Sequence, residues 1–204
     1  MRRFRYLLGL LLLLGTASAQ AEAPLYRILP DQSSMIVHTD VGGLFKKFGR
    51  QLEIEVREFS GEIRFDPNSA KNSSLKFEAK THSLALKTRV SDQDRENIEI
   101  RMHEKMLQTE KYPDIRYESE KVRIWKVGEK RYDVEVLGRL TLHGQTNFLP
   151  LKAQLTMKDG KLEASGDASL KQTDYKIKPY SYQGGALKVA DEVKLSFQML
   201  AGRL

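Results

Sequence analysis

The sequence predicts a mainly β protein, an antiparallel sheet of about eight strands closed into a barrel, with one amphipathic helix. Beyond Leu52, apolar and polar residues alternate with a period of two through most of the chain. Turn residues separate the alternating runs at a regular spacing that argues against βαβ units. A sheet of this size must pair or cover its edge strands, and closure into a barrel does so most completely.

Three runs show the alternation most clearly. Their apolar side chains alternate with charged or polar ones, as in long antiparallel strands with one face in a core and one in water. The apolar members are Tyr132, Val134, Val136, Leu140 and Leu142 in the first run, Leu149, Leu151, Ala153, Leu155 and Met157 in the second, and Leu187, Val189, Val193, Leu195, Phe197 and Met199 in the third. Shorter runs, with residues 35–37 and 75–79 among them, complete the count.

Turns are predicted where Gly, Pro, Asp and Asn interrupt these runs. The predicted turns are at residues 66–68, at Gly128, at residues 144–147 and at residues 158–160. Residues 44–48 are compatible with a short helical turn or with a loop, since two glycines precede them.

The predicted helix covers residues 91–107, where Ile98, Met102 and Met106 recur every four residues among charged side chains. Ser91 or the following aspartate can cap its first amides. The apolar stripe has two interpretations. In the first, it packs on the core, as the apolar face of any amphipathic helix does. In the second, it is part of a flexible Met-rich lid over an opening of the barrel.

The N-terminal segment predicts a secretory signal, residues 1–19. Three arginines precede an apolar run at residues 7–14, which is too short to span a bilayer and is followed by small residues. Cleavage is predicted after Ala19, with Ala21 as the alternative, so that residues 20–204 form one periplasmic domain.

Composition narrows the classes of function. The chain has 204 residues and no cysteine, which excludes disulfides, thiolate nucleophiles and a lipid-modified cysteine anchor. Its net charge of +7 is 34 basic minus 27 acidic residues, and removing the three signal arginines leaves 31 − 27 = +4. The remaining charges are interleaved along the chain, so a nucleic-acid partner is not predicted.

No motif in the sequence predicts an enzyme or a cofactor. The histidines, His38, His82, His103 and His143, have no spacing typical of metal ligands. His82 and Ser83 fall on a predicted strand, where neighbours point to opposite faces and cannot act together. His143 adjoins a turn glycine, which favours a structural role. Nucleophile elbows and phosphate-binding loops are also lacking.

Four segments of the chain resemble the YceI-like family. They are residues 59–63 (FSGEI), 112–119 (YPDIRYES), 137–146 (LGRLTLHGQT) and 187–193 (LKVADEV). Together they span residues 59–193, most of the mature chain, in the order of that family. The resemblance implies a lipocalin-like, extended eight-stranded barrel that binds an amphiphilic isoprenoid, a polyprenyl chain or a quinone, in a long apolar pocket.

Candidate lipid contacts follow from this pocket. The helix stripe supplies three of them, and aromatic side chains suit the pocket opening, although surface or loop packing explains such aromatics equally well. The candidates are Phe45, Phe48, Ile98, Met102, Met106, Tyr117, Leu142, Tyr180 and Tyr182. Four other residues that match the family are predicted to be structural, as cap, turn or close-approach positions: Gly61, Gly144 and Asp191 of these segments, and Asp94, which precedes the second segment.

The chain departs from the resemblance in the segment 49–52, where Arg50 and Leu52 stand at the two histidine positions. A branch of the YceI-like family resembles this chain but carries a G-H-x-H segment at this place. This chain reads GRQL at residues 49–52. A histidine contact to the head group or to a metal is therefore not expected. Arg50 either faces the head group in its place or is solvated.

Two functional hypotheses remain. The first is a non-enzymatic periplasmic carrier or store for an isoprenoid lipid or quinone, with transient contact with a membrane. The second is an accessory or stress-related interaction protein whose barrel is filled by its own side chains. The sequence leaves open whether the protein is a monomer or a homodimer.

Overall fold

The computed structural model describes residues 22–42, 51–182 and 187–204. Its strands belong to one antiparallel sheet. They are β1 (Leu25–Ile28), β2 (Ser34–Gly42), β3 (Leu52–Val56), β4 (Phe59–Arg64), β5 (Ser74–Lys80), β6 (Leu84–Leu86), β7 (Asp114–Gly128), β8 (Arg131–Leu142), β9 (Gln145–Lys158), β10 (Lys161–Lys171), β11 (Ser181–Tyr182) and β12 (Leu187–Arg203). Short 3-10 turns occupy Pro30–Gln32, Ala70–Asn72, Thr81–Ser83 and Gln172–Tyr175.

These strands build an eight-stranded barrel, because three barrel strands are interrupted and counted in two pieces, and the two-residue β11 pairs with β12 outside the barrel ladder. The pairs are β1 with β2, β3 with β4, and β5 with β6. Neighbours along the chain pair in order, and β12 pairs with β10 on one side and with both β1 and β2 on the other. The ladder is thereby closed, and the predicted fold class is confirmed.

Alternation along the strands follows the prediction. On β8, for example, Tyr132 and Val134 are buried while Asp133 is exposed. Leu162 of β10 and Ala201 of β12 are opposite each other and almost completely buried. With Tyr26 and the edge-to-face pair of Phe65 and Tyr132, whose centroids are 5.3 Å apart, they fill one end of the barrel, here named the closed end.

The hairpin turns are tighter than predicted. Between β8 and β9 only His143 and Gly144 turn, with φ of 50° and 71°. Two successive positive φ angles match the twist of the flanking strands, and the non-glycine residue at the first position was not expected. The expected turn at 144–147 is thus wrong in extent, because β9 begins at Gln145. Gly128 likewise ends β7 instead of forming the turn.

The helical segment, residues 92–107, joins β6 to β7. It consists of the α-helix α1 (Asp92–Ile100) followed by a π-helix (Arg101–Leu107), where a single regular helix was predicted. The predicted cap is confirmed, because Ser91 Oγ accepts a hydrogen bond from Asp94 N at 3.1 Å. Within the described ranges, no helix has the length and apolar character that crossing a bilayer requires.

Helix α1 covers the edge of β6, which pairs with β3 on its other side. Glu99 Oε1 accepts a hydrogen bond from Leu86 N at 2.9 Å. Arg95 donates to the carbonyl oxygen of Leu86 and, at 3.4 Å, to that of Thr88. Side chains of the helix therefore satisfy backbone groups that a neighbouring strand would otherwise pair, which protects an open edge.

We expect Glu99→Ala to lower the free energy of unfolding by about 1 to 3 kcal/mol, because it leaves the amide of Leu86 buried without an acceptor. Leu86 is only 1% exposed, so water cannot replace the carboxylate without a local opening. Urea denaturation of the purified variant measures the change. Glu96→Ala is the matched control, since Glu96 is exposed on the same helix and should matter by less than about 0.5 kcal/mol. Equal losses in the two variants would contradict this role of Glu99.

His82 and Ser83 lie in the 3-10 turn Thr81–Ser83, and the strand predicted for them is wrong. The turn is stabilised by side chains that bond to the backbone. Ser83 Oγ donates to Lys80 O at 2.7 Å and accepts from Glu58 N at 3.0 Å. This hydroxyl is thus occupied in joining the two interrupted strands.

The residues predicted to be structural have such roles. Asp191 accepts hydrogen bonds from Thr173 N at 2.9 Å and from its hydroxyl at 2.7 Å, and these bonds lower the pKa of Asp191. A Cβ atom at Gly61 would lie 2.6 Å from Ile28 Cδ1, so this glycine permits a close approach of strands. Together with the cap at Asp94 and the turn at Gly144, these predictions are confirmed.

Candidate functional site

The inward side chains do not fill the barrel. They enclose an apolar cavity of about 270 Å³ that extends between the strands and is lined on one side by the helical segment. Apolar cavities of about 150 Å³ already bind small hydrocarbons. The interior can therefore hold an apolar guest, and the hypothesis of a completely filled barrel is wrong.

Small residues at inward positions explain why the barrel is hollow. Ala79, Ala153, Ala164 and Ala168 all line the cavity, where larger side chains would occupy its volume. Their alternating neighbours point outward, as the period of a strand requires. The cavity thus follows from the choice of side chains on one face of the sheet.

The helical segment contributes Met102, Met106 and Leu107 to the lining. All three lie in the π-helix, whose hydrogen bonds join residues five apart and whose turns are wider than those of an α-helix. Met106 and Leu107, which follow Met102 by four and five residues, therefore lie on the same side of the helix as Met102. Met102 is buried and Met106 partly buried, and unbranched thioether side chains adapt to guests of irregular shape.

Tyr117 places a buried ring on the wall of the cavity. Its hydroxyl lies 3.2 Å from Val136 O and 3.0 Å from Leu149 O, and its single proton is donated toward these two carbonyl oxygens. Burial raises the pKa of Tyr117, which keeps the hydroxyl protonated as a donor. A Cβ atom at Gly138 would lie 2.5 Å from Tyr117 Cζ, so this glycine makes room for the ring.

Few polar side chains line the cavity, and several of them bond within the protein. Gln172 Nε2 donates to Ala190 O at 2.8 Å, and Ser73 Oγ accepts from Asp66 N at 3.0 Å. Thr39 differs from these. It is 4% exposed, and its Oγ1 has no hydrogen-bond partner among the described residues.

The candidate contacts are distributed unevenly. Those that line the cavity are Met102, Met106, Tyr117 and Leu142. Tyr182 lies in β11, where its backbone pairs with Leu187. Two candidates lie outside the described residues, Phe45 and Phe48. Contact of any of them with a lipid stays a prediction.

Ile98 and Tyr180 do not belong to the lining. Ile98 lies in α1, which packs on the edge of β6, and the wider turns that bring side chains to the cavity begin only at Arg101. Tyr180 Oη accepts a hydrogen bond from Arg101 Nη1 at 2.6 Å, and the guanidinium lies 5.0 Å from the centre of the ring. Tyr180 therefore holds the helical segment in place beside the cavity.

Most of the wall residues were not among the candidate lipid contacts. Leu107 ends the apolar pattern of the helix, and Thr39 is polar, so neither was a candidate. The position of Thr39 in the strand could have indicated that it points inward. It follows Met35 and Val37 at intervals of two residues, so all three lie on the same face of β2.

Two of the histidines, His143 and His38, show structural contacts. His143 Nδ1 lies 3.0 Å from Tyr175 O, and its ring is 4.3 Å from the ring of Tyr112. His38 Nε2 lies 2.8 Å from Ser196 Oγ. Among the residues that the structure describes, no cluster of three or more His, Asp or Glu residues is placed to hold a metal ion.

Comparison with known proteins relates this geometry to one family. A family model described as the YceI-like domain matches residues 26–201. No curated protein matches the sequence.

Several solved structures share the fold. The crystal structure of BcnA from Burkholderia cenocepacia has a TM-score of 0.66 at 18% identity, covering 85% of this chain and 98% of that chain. A polyisoprenoid binding domain from Saccharophagus degradans, implicated in plant cell wall breakdown, has a TM-score of 0.64 at 13% identity, covering 88% and 98%. The YceI protein of Campylobacter jejuni has a TM-score of 0.54 at 23% identity, covering 74% and 84%.

Proposed function

This chain belongs to the YceI-like family, and from this premise we propose that it binds an amphiphilic isoprenoid lipid, a polyprenyl chain or a quinone, in its barrel. The observation that carries the proposal is the apolar cavity of about 270 Å³. The similar domain from Saccharophagus degradans is described as polyisoprenoid binding, which supports the same class of ligand.

Burial of apolar surface supplies the binding energy in this proposal. Each methylene group that leaves water contributes up to about 0.8 kcal/mol, before the ordering of the ligand is subtracted. A five-carbon prenyl unit therefore changes the affinity measurably. The cavity lining is almost entirely apolar, so the affinity should increase with chain length until the cavity is full.

The proposed role is that of a carrier or store, not of an enzyme. A carrier must shield the chain from water and later release it, and the adaptable Met102 and Met106 beside the cavity suit such exchange. Loading and release would involve transient contact with a membrane. The ligand itself is then the only bound group required.

Lipid extraction and titration test the proposal. Mass spectrometry of an organic extract of natively purified protein should detect a prenyl lipid. Titration with prenyl alcohols of increasing length should give dissociation constants that fall with each added unit. Equal affinity across the series would contradict a cavity that binds the chain. An empty extract and no binding by folded protein would favour an accessory protein that acts through its exterior.

Export is the second part of the proposal. We expect mature protein that begins near Gln20, or at Glu22 if the alternative site is used, and that is released with the periplasmic fraction. Mass determination of the intact exported protein and its N-terminal sequence measure this. Material that still begins at Met1, or that remains in washed membranes, would contradict it.

A further inference from the structure

Thr39 places an unsatisfied hydroxyl on an apolar wall. It follows Met35 and Val37 on the inward face of β2, and all three line the cavity. Thr39 is more than nine-tenths buried, and no described residue accepts or donates a hydrogen bond at its Oγ1. Buried hydroxyls are usually paired, because leaving one unpaired costs about 1 to 3 kcal/mol.

The position of Thr39 suits the polar end of an elongated ligand. Thr39 pairs with Val193 of β12 and Leu52 of β3, whereas the closed end lies beyond the other end of β2, where β1 pairs with residues 201–203. A prenyl chain that extends toward the closed end would leave its head group near Thr39.

Water is a poor partner for this hydroxyl. A buried water molecule keeps two to four polar contacts, on average about three. The lining side chains next to Thr39 on the sheet, Val37 and Val193, are apolar, and the amide of the polar lining residue Gln172 already donates to Ala190 O at 2.8 Å. An oxygen atom carried by a bound ligand needs only this one hydrogen bond, because apolar burial of its chain holds it in place.

We propose that the Thr39 hydroxyl hydrogen-bonds an oxygen atom on a neutral head group of the ligand, a hydroxyl or a quinone-type carbonyl. The cavity would then select an oxygen-bearing isoprenoid over a hydrocarbon of equal length. This inference rests on the proposed function and adds the chemistry by which the head group is recognised.

The test compares two ligands of equal carbon number, a linear prenyl alcohol and the corresponding prenyl hydrocarbon, on three proteins. Thr39→Val removes the hydroxyl and keeps the shape of the side chain, whereas Thr39→Ser keeps the hydroxyl. Thr39→Val should lower the affinity for the alcohol about tenfold and leave that for the hydrocarbon unchanged. Thr39→Ser should keep the preference for the alcohol.

Stability is measured on the same samples. The melting temperature of empty Thr39→Val should be equal to or above that of the wild type, because the variant removes an unpaired polar group. Unchanged affinity for the alcohol in Thr39→Val, or an equal loss for both ligands, would overturn this inference alone. Wild-type protein that is folded and binds neither ligand would overturn the proposed function together with the inference.

Discussion

Replacing Ala164 with Phe should lower the affinity for a long prenyl chain about a hundredfold, because the phenyl ring takes the room of roughly four ligand methylenes. Ala164 lines the cavity on β10 between Leu155 and Met199, which also line it. The ring enters empty space, so the melting temperature should remain nearly unchanged. Isothermal titration with a long prenyl alcohol measures the affinity, and a thermal scan measures the stability.

Ser165→Phe is the matched control. Ser165 is the next residue on the same strand, and its side chain is exposed on the outer face of the barrel. The same bulk placed there should not change lipid affinity. Similar affinities of the two variants would show that the ligand binds elsewhere than in the cavity.

Gly166→Ala should have the largest effect on stability, a loss of roughly 3 kcal/mol, which for a domain of this size is a melting temperature lower by about 6 to 12 °C. A Cβ atom at this position would lie 2.1 Å from Lys152 O and 3.0 Å from Ala153 Cα. Both atoms belong to the backbone of β9, which is fixed by its ladders with β8 and β10. The added methyl group can be accommodated only if the strands separate.

Gly202→Ala provides the control for this prediction. Gly202 also lies in a strand of the barrel, but an added Cβ atom would meet nothing closer than Leu29 Cδ1 at 3.8 Å. Urea denaturation of both variants should therefore show a large loss for Gly166→Ala and a change of less than about 0.5 kcal/mol for Gly202→Ala. Equal effects would mean that the general preference for glycine in these strands, and not the close approach, determines the loss.

The long strands could be predicted from sequence because each has one face in the interior and one in water. On β8 and β9 this contrast persists over twelve and fourteen residues, and the pattern needs no tertiary information. The shorter interrupted strands give weaker patterns. On β2 the apolar alternation is interrupted at Thr39, between Val37 and Val41, because Thr39 is polar and still points inward.

Other features depend on contacts between distant parts of the chain. The positive φ of His143 is supported by packing against Tyr112 and by its bond to Tyr175, which are distant in sequence from the turn. The change from α- to π-helix at Arg101 could not be predicted either. The four-residue spacing of Met102 and Met106 fits both kinds of helix. Met102 and Met106 were therefore identified as candidates, while the exclusion of Ile98 from the cavity required the structure.

The edge of β6 that α1 covers has a consequence for how amide protons exchange with solvent. The amides of β8 and β9 are held by continuous ladders and exchange only when the barrel unfolds. The amide of Leu86 is held by Glu99, so it exchanges whenever α1 separates from the edge. Such an opening breaks only a few side-chain bonds and leaves the eight-stranded ladder intact. Exchange at the Leu86 amide should therefore report the opening of α1 and be independent of the rate of global unfolding.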